Sequence, residues 1–400
     1  MVERNIRKIN IDCIINMLDE QIFIDSKKSE DIMENIIKNK DLVLSWLEDD
    51  ESRFIFERRY KYTIDSLKNN KWWQVSNCSS EKLNDFDYMF EMIKSYLLKY
   101  DETKKMLDKS NMYIYGAGQR WKIFRKAIGF IPSIDIKGII DGSPEKIGTV
   151  DEYLGIKISS PSEVDFSKID CLVITVKSEK MIKEIKEKII SLGVKEENII
   201  ILSELIDNYQ YFDEVINFEE EETFVDVGVF DLTTTLKFFD YCNKNNVRKA
   251  KSIAFEPDNI AYENCKKIKS EHPDYDIELL KYGLYSENTT LKFVETANSA
   301  SFISEKDGTV SIDVVALDNA VDEKVTFIKM DVEGAELEAL KGAAETIKKY
   351  RPKLAISIYH KPEDIIEIPM YIKSLVPEYK LYMRHYSWGE HETVLYALPY

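Results

Sequence analysis

Acidic residues and histidines recur at the ends of apolar runs. Asp226 and Gly228 close TFVDVG, Glu256 closes KSIAFE, Asp331 closes VTFIKMD, His360 closes KLAISIYH and His385 closes YKLYMRH. In an open α/β sheet, ligands sit where the strands end. Histidine near its ordinary pKa suits removal of a proton from a hydroxyl. Asp331, His360 and His385 are therefore the candidate catalytic set, with His360 preferred as base and Asp331 orienting the acceptor or acting as base itself. The same Asp/His grouping could hold a divalent metal, which is the weaker expectation; no metal site is assigned.

The turn after TFVDVG decides the ligand class. Gly228 lets a ligand approach the backbone closely. Dinucleotide loops carry further glycines for a pyrophosphate, whereas Asp231 and Thr233 to Thr235 follow here. A carboxylate at the turn repels phosphate and attracts a cation. The pattern points to a positively charged nucleoside without phosphate, and S-adenosylmethionine has that chemistry. Glu256, 28 residues after Gly228, is placed to accept ribose hydroxyls as acidic residues do in dinucleotide sites. Glu333 and Glu336 follow Asp331 in a turn and a first helical turn, where the helix dipole alone accounts for them. Tyr262 and Lys266 imitate a dehydrogenase pair but read as ordinary helical neighbours.

These residues need a strand–helix scaffold, and the periodicity supplies one. Residues 1–108 lack glycine and repeat apolar residues at helical spacing, as in INIDCIINML and DYMFEMIKSYLLKY. LEDDESRFIFERRY reads as a helix docked on a neighbouring domain, and Trp72 and Trp73 as packing anchors before a sugar-stacking pair. From residue 109 to 208 strands and helices alternate, which predicts a small parallel sheet. Its YIYGAGQRW loop offers Gly116 and Gly118, and Asp141 ends the next strand; a nucleotide, a sugar or no ligand are open there. Trp121 stands where a dinucleotide loop needs its third glycine. The run from Glu219 to Glu222 marks the next boundary, and 209–400 forms a second alternating region. TLKFVE and SIDVVALD read as added strands, and the last two strands, joined by HYSWGEHE, as an antiparallel pair.

Composition narrows the partners. The chain has 400 residues with a net charge of -17, and no dense basic cluster suggests a nucleic-acid face. No apolar run reaches membrane-spanning length, the start lacks a signal-peptide core, and the five scattered cysteines form no CxxC pair. A cytoplasmic protein is expected.

FVDVGVFD, AFEPD, LDNAV, FIKMDVEGAELEALKGA, ISIYHKPEDIIEIP and ETVLYA occur in that order, and with them residues 220–400 resemble the FkbM-type methyltransferase family. The resemblance implies an α/β, Rossmann-like methyltransferase domain whose parallel sheet ends in an antiparallel strand, behind a second small Rossmann-like domain and an N-terminal helical region. It implies S-adenosylmethionine as cofactor, with contacts from Asp226, Gly228, Phe230, Asp231, Glu256 and Pro257. It also implies O-methylation of a saccharide, nucleotide-sugar or secondary metabolite. Many members carry Gly-Asp after the Phe-Asp of the turn, where this chain has Leu232-Thr233. The small domain resembles those attached to sugar-modifying enzymes. Two other functions compete: a non-catalytic carbohydrate-binding scaffold on the same fold, and a nicotinamide-dependent oxidoreductase built on the GAG loop.

Overall fold

The computed structural model describes residues 26–68, 111–118, 120–122, 125, 136–151, 154–176, 178–202, 210–294, 302–303, 308–386 and 392–400. Trp72, Trp73 and the apolar repeats of INIDCIINML and DYMFEMIKSYLLKY lie outside these residues. Among the described residues no helix is long and apolar enough to cross a membrane.

The chain divides into two compact units, one combining the described residues 26–68 with Phe218–Arg384 and Thr393–Tyr400, the other combining the described residues between 111 and 217 with His385–Glu392. The N-terminal helices α1 (Ser26–Ser45) and α2 (Asp50–Lys68) fall in the same unit as the large sheet. Buried polar contacts fasten them. Asp49 accepts the Ser52 amide at 2.8 Å at the head of α2, and the same carboxylate takes the buried Arg384 guanidinium at 2.7 Å. Desolvation works against the charged form of Asp49, but Arg384 and Ser52 outweigh it and hold the carboxyl below its usual range.

The smaller unit carries β1 (Met112–Tyr115), β2 (Ile136–Ile140), β3 (Ile158–Ser159), β4 (Cys171–Ile174), helix α3 (Glu179–Ser191) and β5 (Ile199–Ile201). The five strands are parallel in the order β3-β2-β1-β4-β5, a doubly wound layout that reverses between β1 and β4. Trp121 is buried and its indole N–H donates to Asp151 at 2.8 Å.

The larger unit alternates β6 (Glu221–Val227), α4 (Thr233–Lys244), β7 (Lys249–Phe255), α5 (Asn259–Glu271) and β8 (Asp276–Leu280). An insertion follows: β9 (Gly283–Leu284), β10 (Thr289–Val294), β11 (Phe302–Ile303) and β12 (Val310–Val315). The two expected added strands, β10 and β12, pair with each other and with β9 and β11 in a separate four-stranded sheet. After it come α6 (Leu317–Ala320), β13 (Phe327–Met330), α7 (Glu336–Lys341), α8 (Ala344–Tyr350), β14 (Lys353–Ser357), α9 (Asp364–Leu375), β15 (Lys380–His385) and β16 (Thr393–Leu398). The large sheet runs β15-β16-β14-β13-β6-β7-β8. Its strands from β14 to β8 pair in parallel, and β16 lies antiparallel against β14. β13, β14 and β16 are buried along their whole length, so their sequences read as continuous apolar runs and not as alternating ones.

Candidate functional site

The ends of β6, β7 and β13 meet around a cleft open to solvent. Gly228, Glu256, Pro257, Asp331 and Glu333 line it, with Phe255 and Phe293 on its apolar side. Gly228 has φ +76°, and a Cβ there would fall 2.0 Å from the Asp331 carbonyl oxygen. The close approach of the two turns, not only the turn type, requires glycine.

Glu256 is 5% exposed at the end of β7. One carboxylate oxygen accepts the Phe230 amide and the other the Asp258 amide, each at 2.8 Å. A carboxylate offers about four acceptor positions, so each oxygen keeps one for a ligand hydroxyl. Burial pushes the Glu256 carboxyl up, against the pull of the two amides, to about 7. Asp258 then caps α5, accepting the Ile260 and Ala261 amides at 2.8 and 3.0 Å, and Pro257 faces the cleft between them.

The remaining turn residues divide by role. Phe230, 39% exposed and at φ +48°, lines the cleft. Asp231 accepts the Thr233 amide at 3.0 Å and holds the first turn of α4. Leu232 is fully buried at φ +59°. Asp226 was expected among the direct contacts, but its side chain is fully buried beneath the turn. Thr235 donates to it at 2.7 Å and Lys329 lies 3.1 Å away. Desolvation pushes the Asp226 carboxyl up, and Lys329 and Thr235 only partly restrain it. Lys329 also donates to the carbonyls of Val227 and Gly228 at 3.1 and 2.8 Å. Asp226 and Lys329 are therefore positioning residues that clamp the glycine turn from below. Sequence reasoning missed Lys329; its signal was a lone lysine inside the apolar run of β13, in register with Asp226.

Asp331 lines the cleft, and the Tyr359 hydroxyl donates to it at 3.3 Å. His360 lies behind it, 3% exposed. Its Nδ1 is 2.8 Å from Glu336, and its Nε2 is 3.5 Å from Asp331 and 3.4 Å from Glu333. Burial disfavours the imidazolium, but Glu336, Asp331 and Glu333 together outweigh it and lift the pKa to about 10. That direction works against His360 as a general base. The structure does bring His360 to Asp331. It does not bring His385 to the cleft: that residue closes the edge strand β15, separated from β14 by β16. Glu333 and Glu336, ascribed to the helix dipole from sequence, are part of the cluster. Tyr262 and Lys266 lie on α5, where Lys266 pairs with Glu263 at 3.0 Å.

In the smaller unit, Gly116 has φ +111°, and a Cβ there would meet the Thr175 hydroxyl at 2.9 Å. Asp141 accepts the Ala117 amide at 2.6 Å, the Ser143 amide at 2.8 Å and the Lys146 ammonium at 3.2 Å. The loop amide that a phosphate would take already holds a carboxylate. A Cβ at Gly118 would meet nothing within 4 Å.

A glycine turn at the centre of a mostly parallel sheet, an acid on the next strand and an antiparallel strand near the edge form a Rossmann-like methyltransferase fold. Residues 226–380 match the family model described as the methyltransferase FkbM domain, and the chain carries a domain of that family. Residues 108–200 match a second model, C2185-like, N-terminal. Among solved structures the chain is similar to the methyltransferase FkbM from Methylobacillus flagellatus KT, at 18% identity and a TM-score of 0.41 over 79% of this chain and 99% of that one. It is also similar to a SAM-dependent methyltransferase from Aquifex aeolicus, at 16% identity and a TM-score of 0.30 over 56% and 98%. An rRNA methylase from Streptococcus thermophilus matches at 16% identity and a TM-score of 0.30 over 45% and 86%. No curated protein sequence matches the chain.

Proposed function

We propose that the cleft beside Gly228 binds S-adenosylmethionine and that the domain methylates a hydroxyl of a small acceptor, of the saccharide, nucleotide-sugar or secondary-metabolite class. The single observation that carries the reading is Glu256. It is a buried carboxylate on the cleft wall, fixed by two backbone amides yet with an acceptor position left on each oxygen. The residues fit the cofactor. Gly228 removes the side chain that would block close approach, and Phe255 and Phe293 supply apolar walls for a base. S-adenosylmethionine, when bound, supplies the methyl carbon from its sulfonium, whose bonding pair stays on sulfur as a thioether.

Asp331 is the group of this chain placed to take the acceptor's hydroxyl proton as the new carbon–oxygen bond forms. It is partly exposed on the cleft wall, and Tyr359 orients it. His360 acts through Asp331 as a positioning residue. General-base help of this kind contributes about 10²–10⁴-fold, and positioning of the two reactants about 7–11 kcal/mol. The chain is further read as cytoplasmic, in keeping with the free, buried thiols of Cys242 and Cys265. The experiment is calorimetric titration with S-adenosylmethionine. One equivalent binds, and Glu256→Ala weakens it at least tenfold, since bonds to a charged acceptor are worth about 1.5–3 kcal/mol each. Unchanged affinity in a folded variant would overturn the reading.

A further inference from the structure

The acidic cluster around His360 has a geometry that ion pairing alone does not require. Glu336 approaches Nδ1 at 2.8 Å, an ordinary hydrogen-bond length. Asp331 and Glu333 stand off from Nε2 at 3.5 and 3.4 Å, beyond that length. Bonds of about 2.1 Å from one tetrahedral metal ion set its nitrogen and oxygen ligands about 3.4 Å apart. The two carboxylates are spaced from Nε2 as fellow ligands are, while Glu336 holds the other nitrogen as the outer carboxylate of a carboxylate–histidine–metal relay does.

A second observation comes from the buried side. Glu336 is fully buried, its Oε1 accepts the Val332 amide at 2.9 Å, and its Oε2 has no hydrogen-bond partner among the described residues. Asp331, Glu336 and His360 also offer atoms within 4.8 Å of one another. The open side of the group faces the cleft through Asp331 and Glu333, which both line it.

We propose that Nε2 of His360, Asp331 and Glu333 form a site for one divalent transition cation, with Glu336 orienting the ring through Nδ1. One imidazole and two carboxylates favour Mn²⁺ or Zn²⁺ over Mg²⁺ or Ca²⁺, which prefer oxygen alone. Binding displaces the Nε2 proton to solvent. Any part the cation plays toward an acceptor hydroxyl rests on the proposed methyl transfer; the site itself does not.

The probe is Mn²⁺, titrated into the full chain and followed by loss of the free-ion electron paramagnetic resonance signal, with excess Mg²⁺ screening the acidic surface. The expected result is one equivalent bound. Glu333→Gln and His360→Gln should each weaken it at least tenfold, and Glu336→Gln about 10–100-fold. Glu333 is partly exposed, so Glu333→Gln keeps the test valid should the His360 variant fail to fold. No saturable Mn²⁺ binding, or native affinity in Glu333→Gln, would overturn the site. A chain that binds S-adenosylmethionine but not Mn²⁺ overturns this inference alone.

Discussion

Lys329→Met should cost the protein about 3–5 kcal/mol, the range for a buried pair that loses one partner. The structure fixes why. Lys329 is 2% exposed and Asp226 0%, so water screens neither. The substitution keeps the length of the side chain but removes the cation 3.1 Å from Asp226. It also removes the donor to the Val227 and Gly228 carbonyls. Asp226 then keeps only Thr235, and its already raised carboxyl must rise further. A carboxyl whose folded pKa lies above its unfolded one costs stability as pH rises between the two. The loss should therefore be larger at pH 8 than at pH 5. Asp226→Asn added to Lys329→Met removes the stranded charge and should recover much of the loss. Urea unfolding at both pH values measures all of this through the midpoint. A loss below about 1 kcal/mol for Lys329→Met, or no difference between the two pH values, would refute the clamp beneath the turn.

Three more outcomes follow from the same geometry. Gly228→Ala places a Cβ 2.0 Å from the Asp331 carbonyl oxygen at a positive φ and should lower stability by at least about 2 kcal/mol, read as a fall in thermal midpoint and in cofactor affinity together. Glu256 holds its proton to about 7 when folded and to about 4.5 as an ordinary glutamate. Its contribution should lower stability as pH rises between those values, by at most about 3 kcal/mol, and Glu256→Gln should flatten that slope in urea unfolding at pH 5 and pH 8. Asp331→Asn should reduce turnover by about 10²-fold or more while S-adenosylmethionine affinity measured by calorimetry stays within a few-fold of native.

What the residues disclosed and what they hid divide along physical lines. The FVDVG turn and the acid of AFEPD were legible because local rules govern them: a strand, a glycine and a helix start adjoin in sequence. The parallel order of both sheets follows from alternation, and β10 and β12 were visible as extra strands. Their assembly into a separate sheet with β9 and β11 was not, since pairing partners are non-local. The role of Asp226 depends on Lys329, 103 residues away and matched to it only by sheet register. His360 was legible, but the three carboxylates around its ring were not, since they come together only in the folded chain. His385 shared its pattern with His360, yet strand order carried it to the sheet's edge. Asp141 accepts the amides of Ala117 and Ser143, and the first of these, 24 residues away, could not be read from local spacing.

The most direct test of a cofactor cleft at the ends of β6, β7 and β13 is a crystal structure of the full chain grown with S-adenosylhomocysteine. The nucleoside should lie beside Gly228, with both ribose hydroxyls donating to Glu256. Ligand density at any other place, or a ribose out of reach of Glu256, would contradict it.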